Sequence, residues 1–136
     1  MSKTPASAPE DTAGTLAERL AEFVALQRRI VADFGRSLAN ARQFIEVAGI
    51  AADREPDSAE EVLDQIEGID LPRHVAEQFE NFNGVAALLD AAATPPDAAA
   101  QAVLADLRGR YEELGREATE QARRVQSLLS GLRVRH

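Results

Sequence analysis

The sequence predicts an all-α fold, an elongated antiparallel three-helix bundle with coiled-coil-like long first and last helices and a broken middle helix. Three observations carry that expectation. Hydrophobic residues make up 45% of the 136-residue chain while aromatics make up only 4%. The apolar mass is therefore Ala, Leu, Val and Ile, a mixture that favours helices packed on helices. Apolar residues recur in steps of three and four, the period of a helix with one buried face. Prolines and capping residues divide the chain into helical segments at about 15–48, 58–67, 72–93 and 97–134.

Residues 1–14 are small and polar with two prolines, which predicts a disordered N-terminal tail before a single helical domain over 15–136. Thr15-Leu16-Ala17-Glu18 has the form of a capping box, with the hydroxyl accepting from the N–H three residues on and the glutamate reaching back. The first seam then runs through Leu16, Leu20, Phe23, Gln27, Ile30, Phe34, Leu38, Ala41, Ile45 and Ala48. Two four-residue steps run together at Ile30, Phe34 and Leu38, which unwinds a left-handed supercoil locally. Gly35 at the same place either admits a neighbouring helix or weakens this one by about 1 kcal/mol relative to alanine. Gly49 is the expected left-handed cap of the helix.

Residues 50–57 read as a linker, and Ser58-Ala59-Glu60-Glu61 as a second capping box opening a short helix that ends at Gly68. Leu71-Pro72 marks the next start, because proline fits the first helical turn. The step pattern Val75, Phe79, Phe82, Ala86, Leu89 puts both phenylalanines of Gln78–Gly84 on one seam. Core packing is the reading that periodicity supports for them; a surface notch lined by Phe79 and Phe82 is the functional alternative. Asn83 and Gly84, both poor helix formers, are expected to kink the helix or to admit a neighbour. Thr94-Pro95-Pro96-Asp97 separates this segment from the last, with Asp97 suited to the positive end of a helix. The last seam is Leu104, Leu107, Tyr111, Leu114, Ala118, Gln121, Val125, Leu128 and Leu132, four heptads in length. Gln27 and Gln121 are the polar seam positions, of the kind that set register at some cost in stability.

Few chemistries survive inspection. The absence of cysteine removes disulfides, thiolate metal sites and cysteine nucleophiles. The acids of Asp53–Asp64 imitate a calcium loop at positions one, three, five and twelve, but Ser58 replaces the glycine at position six, Pro56 intrudes, and aspartate stands where a bidentate glutamate belongs. His74 and Glu77 form a single Glu/His pair, and His136 is the last residue, so the two paired motifs of a di-iron bundle are missing. Ser37, Ser127 and Ser130 have no histidine at a useful spacing, and no nucleophile elbow, phosphate loop or dinucleotide fingerprint occurs. The sequence predicts no enzyme activity, no cofactor and no metal.

Net charge is −8, and residues 53–82, with ten acids and two bases, account for all of it. An acidic chain of this kind is not expected to bind nucleic acid. Arg123, Arg124, Arg133 and Arg135 near the C-terminus suit the helix dipole, or an acidic partner such as the 53–82 stretch of a second copy. No apolar run has the length of a membrane span or of a secretory signal, so the expected location is cytoplasmic.

These readings together predict a non-enzymatic helical protein–protein interaction module, such as an adaptor, chaperone or complex subunit, that binds a protein partner or a second copy of itself as a homo-oligomer. The candidate partner-binding residues are Leu104, Leu107, Tyr111, Leu114, Gln121, Val125, Leu128 and Leu132, with Phe79 and Phe82 of the middle segment, and Phe23, Ile30 and Phe34 opposite. The same residues equally suit an internal core. Two further classes are an amphipathic coat on lipid or storage-polymer granules, disfavoured by the lack of tryptophan and lysine-rich faces, and a helical enzyme or metal carrier.

Overall fold

The computed structural model describes residues 8–92 and 96–135, side chains excepted at 8–16 and 135. It is an all-α three-helix bundle, with four helices among the described residues: α1 over Ala8–Ala51, α2 over Pro56–Ile69, α3 over Leu71–Asp90 and α4 over Ala98–Arg135. At 1.5 Å per residue α1 is about 66 Å long and α4 about 57 Å. α2 and α3 together form the broken middle element. α1 and α4 rise side by side in the same direction, since Gln27 meets Tyr111 and Leu38 meets Gln121. The middle element descends between them. Its first half packs on Ile45, Ala48 and Ala52 of α1, and its second half brings Phe82 to Phe23.

The helix ends differ from the expected ones in ways that local chemistry explains. Ala8 is already helical, with Pro9 in the first turn, so Thr15 lies inside α1 rather than at its start. Residues 1–7 of the expected tail lie outside the described residues. Gly49 is not a left-handed cap: among the described residues no glycine has positive φ, and α1 runs through it to Ala51. The chain then turns tightly on backbone bonds, Arg54 N–H and Glu55 N–H both donating to the Ala51 carbonyl at 2.9 and 2.7 Å. α2 begins at Pro56 rather than Ser58, and its cap residue Glu55 makes no side-chain bond. Proline with its preset φ starts the helix ahead of the serine. Asn83 and Gly84 are exposed within an unbroken α3, and a side-chain carbon added at Gly84 or Gly35 would meet nothing within 4 Å. Neither glycine admits a neighbour.

The break between α2 and α3 is made by Asp70, not Gly68. Asp70 adopts φ 52°, ψ 56°, the left-handed region, and is the non-glycine residue that does so among the described residues. Its N–H donates to the Glu67 carbonyl at 3.3 Å, closing α2, while its carboxylate accepts from Arg73 N–H at 3.3 Å, opening α3. Aspartate tolerates this conformation because its short polar side chain bonds locally. Asp70→Ala keeps the strained backbone and loses the cap, and is expected to cost about 1–2 kcal/mol. Asp70→Gly relieves the backbone while losing the same cap, and should fall within about 0.5 kcal/mol of the parent. Chemical denaturation of the two variants checks the ordering. A glycine variant as unstable as the alanine one would show that strain at Asp70 is negligible.

The core is a column of three linked clusters. Phe82, Leu89, Leu104, Leu107 and Tyr111 fill one end, joined by half-buried Leu20, Phe23, Ile30 and Phe79. Leu38, Val75, Leu114 and Ala118 fill the centre, with Phe34 and Val31 against them. Ile45, Leu63, Val125, Leu129 and Leu132 fill the other end, interleaved with Ala48, Ala52 and Ala59. One expected seam position shifts. Leu129 is buried and Leu128 only partly so, so the last seam steps four, four, three from Gln121 to Leu132. This eleven-residue stretch matches the one from Gln27 to Leu38 in α1, and each locally unwinds the supercoil.

Candidate functional site

The candidate partner-binding residues all lie in or against this chain's own core, Phe23, Ile30 and Phe34 among them. Leu104, Leu107, Tyr111, Leu114, Gln121, Val125, Leu132 and Phe82 are buried, while Phe79 and Leu128 are half-buried against the clusters. A partner could reach the eight buried ones only by opening the bundle. Phe79 and Phe82 flank Tyr111, with ring centroids 5.6 and 5.4 Å away, and Phe82 stacks on Phe23 at 5.7 Å. The Arg108 guanidinium lies 5.8 Å from the centre of the Phe82 ring, its Nε donating to Asn83 Oδ1 at 3.2 Å. Phe79 does line an open groove between α3 and α4, alongside Val75, Tyr111 and Gly115, but Phe82 does not reach it.

The two seam glutamines do not meet. The Tyr111 hydroxyl donates to Gln27 Oε1 inside the aromatic cluster. Burial pushes the Tyr111 phenol above its ordinary range, so it remains a neutral donor at physiological pH. Gln121 lies ten residues further along α4, where its Nε2 donates to the Leu38 carbonyl at 3.0 Å and to Glu117 at 3.3 Å. Its Oε1 is buried without a hydrogen-bond partner among the described residues. A buried unpaired acceptor costs about 1–3 kcal/mol. Gln121→Leu removes it, and the Leu38 carbonyl sits within α1 and keeps its helical bond. The variant is expected to be more stable by about 1–2 kcal/mol. An unchanged urea midpoint would mean that Oε1 is already satisfied.

The outer face of α1 carries apolar side chains that the core does not use. Phe44, Val47 and Ile50 are 58, 59 and 66% exposed. They repeat every three residues beside the buried row of Ala41, Ile45, Ala48 and Ala52, and form a second apolar stripe on the same stretch of helix. At the other end, Val85 and Leu88 of α3 are exposed to 37 and 73%. Scattered apolar residues on a surface need no explanation, but a contiguous stripe does. The period-seven seam hid this one, because Phe44 and Val47 fall between seam positions; the signal available was the i, i+3, i+6 repeat itself.

Several charged residues form ion pairs near the surface. Arg133 reaches Glu60 and Asp64 of α2 at 3.8 and 3.6 Å, Arg73 pairs with Asp70 at 3.2 Å, and Arg42 of α1 pairs with Glu117 of α4. The acidic stretch and the basic terminus thus already meet in one copy through Arg133. Each such pair contributes little to stability. Asp64, the twelfth position of the calcium-like spacing, is one of Arg133's partners, and Ser58 lies within α2. Among the described residues no group of three or more His, Asp or Glu is placed to hold a metal ion, and no helix is long and apolar enough to cross a membrane. No family model matches the chain, and neither a curated protein nor a solved structure is significantly similar to it.

Proposed function

We propose that this chain is a non-enzymatic helical interaction module that associates with a second copy of itself through the outer face of α1. The exposed stripe Phe44, Val47, Ile50 is the observation that carries this reading. The heptad seams are occupied by the chain's own helices, so association needs a different surface, and this stripe is apolar and regular. Its spacing suits a twofold axis. Phe44 and Ile50 lie three residues to either side of Val47, so two antiparallel α1 helices crossing at Val47 bring Phe44 of each copy to Ile50 of the other. A self-complementary patch of this kind is what an isologous dimer requires.

The double variant Phe44→Ser/Val47→Ser tests it. Wild type is expected to sediment as a dimer that dissociates on dilution, and the double variant as a monomer with undiminished helicity. A wild type that stays monomeric at every accessible concentration would remove self-association from the reading.

A further inference from the structure

Asn83-Gly84 is a feature of α3 that neither the core nor the α1 interface uses. Both residues are exposed and lie well inside the helix, which continues to Asp90. Asn83 Oδ1 accepts from Arg108 Nε at 3.2 Å, across the seam between α3 and α4. A side-chain carbon added at Gly84 would meet nothing within 4 Å, so packing does not demand a glycine, and alanine would serve the helix better. What the pair supplies is chemical reactivity.

An asparagine side chain and the next main-chain nitrogen can close a five-membered ring. The Gly84 nitrogen attacks Cγ of Asn83 and gives up its proton to hydroxide or water. The side-chain nitrogen leaves as ammonia, and a cyclic imide remains. Water then opens the ring on either side. Cleavage between Cγ and nitrogen gives aspartate. Cleavage between the residue 83 carbonyl carbon and nitrogen gives isoaspartate, with the main chain routed through Cγ. One water is consumed, one ammonia is released, and nothing is oxidised or reduced. Glycine hinders this least, because no Cβ flanks its nitrogen and its backbone is the freest to adopt the closing geometry. The other two asparagines, Asn40 before Ala41 and Asn81 before Phe82, are also exposed on helices, but each has a Cβ beside the attacking nitrogen. The intact helix opposes the reaction at all three. Within α3 the Gly84 N–H is committed to the Glu80 carbonyl four residues back. The helical φ and ψ of Asn83 are fixed with it, and Arg108 restrains the amide.

We propose that Asn83-Gly84 is a site of spontaneous deamidation gated by α3, closed while the helix is intact and open when the segment around Phe82 unravels. The two products differ in their consequences. Aspartate keeps the main chain and sets a carboxylate against the Arg108 guanidinium, a charge-assisted form of the existing bond. Isoaspartate adds a main-chain carbon next to the fully buried Phe82. That carbon shifts the hydrogen-bond ladder of α3 and draws the ring away from its stack on Phe23. The modification therefore accumulates as a record of how often α3 has opened.

The test is incubation of the full chain in mildly alkaline buffer, with and without denaturing urea, followed by peptide mapping and mass spectrometry at Asn40, Asn81 and Asn83. In urea, Asn83 is expected to deamidate at least about tenfold faster than the other two, and Gly84→Ala to remove most of that advantage. Without urea, the rate at Asn83 should fall by at least about tenfold, because ring closure then waits for α3 to open. The isoaspartate fraction, separated from the aged chain, should melt at a lower temperature than the parent, whereas Asn83→Asp made directly should melt as the parent does. Equal rates at Asn83 in the folded and unfolded chain would show that α3 is no gate and overturn the proposal. So would a rate in urea no greater than at Asn81, or an isoaspartate fraction as stable as the parent.

Discussion

Phe82→Ala is expected to lower the stability of the chain by about 3–5 kcal/mol, a large part of the total for a domain of this size. The ring is fully buried, stacks on Phe23, touches Tyr111 and carries the Arg108 guanidinium over its face. Truncation therefore empties a site that three helices line, and none of them can collapse into it alone. Phe79→Ala should cost less, about 1–2 kcal/mol, because that ring is half-buried and its main loss is the stack on Tyr111. Denaturant titrations of both variants check the size and the order. Equal losses, or a stable Phe82→Ala chain, would contradict the packing described for this end of the bundle.

The second large effect separates two neighbouring leucines. Leu129→Ala is expected to cost about 2–5 kcal/mol and Leu128→Ala about 1 kcal/mol. Leu129 sits among Ile45, Leu63, Val125 and Leu132, whereas Leu128 only borders that cluster. The comparison is sharp because the residues are chemically identical and differ only in the face of α4 they occupy. A larger loss at Leu128 would restore the unbroken heptad register and remove the eleven-residue step from α4.

That pair also shows where the sequence stops being informative. From Val125, a step of three to Leu128 and a step of four to Leu129 both lead on to Leu132 in helical rhythm, so periodicity cannot choose between them. The choice is made across the interface, where Leu129 joins the cluster of Ile45, Ala48, Ala52, Ala59 and Leu63 while Leu128 only borders it. The rest of the long seams was legible, because each places a large apolar residue every three or four positions with little competition. Helix ends were harder. Thr15 and Ser58 both have the chemistry of a cap, but Pro9 and Pro56 start the helices earlier by fixing φ. Gly49 and Gly68 were natural stops, yet the positive φ falls on Asp70, whose carboxylate can serve the next helix at once. The outer stripe of α1 was visible as spacing but was masked by the stronger seam beside it. The unpartnered Gln121 oxygen was out of reach of sequence reasoning, since it depends on where Leu38 and Glu117 stand in three dimensions.

The central claim is that the long seams close within one chain, leaving the outer face of α1 for a second copy. Thermal unfolding of the Phe44→Ser/Val47→Ser variant, followed by circular dichroism at two concentrations about a hundredfold apart, tests it most directly. When folding is coupled to association, the midpoint depends on concentration. The account predicts one cooperative transition with the same midpoint at both concentrations. A midpoint that falls on dilution would place Leu107, Tyr111, Val125 and their neighbours between chains, and would contradict it.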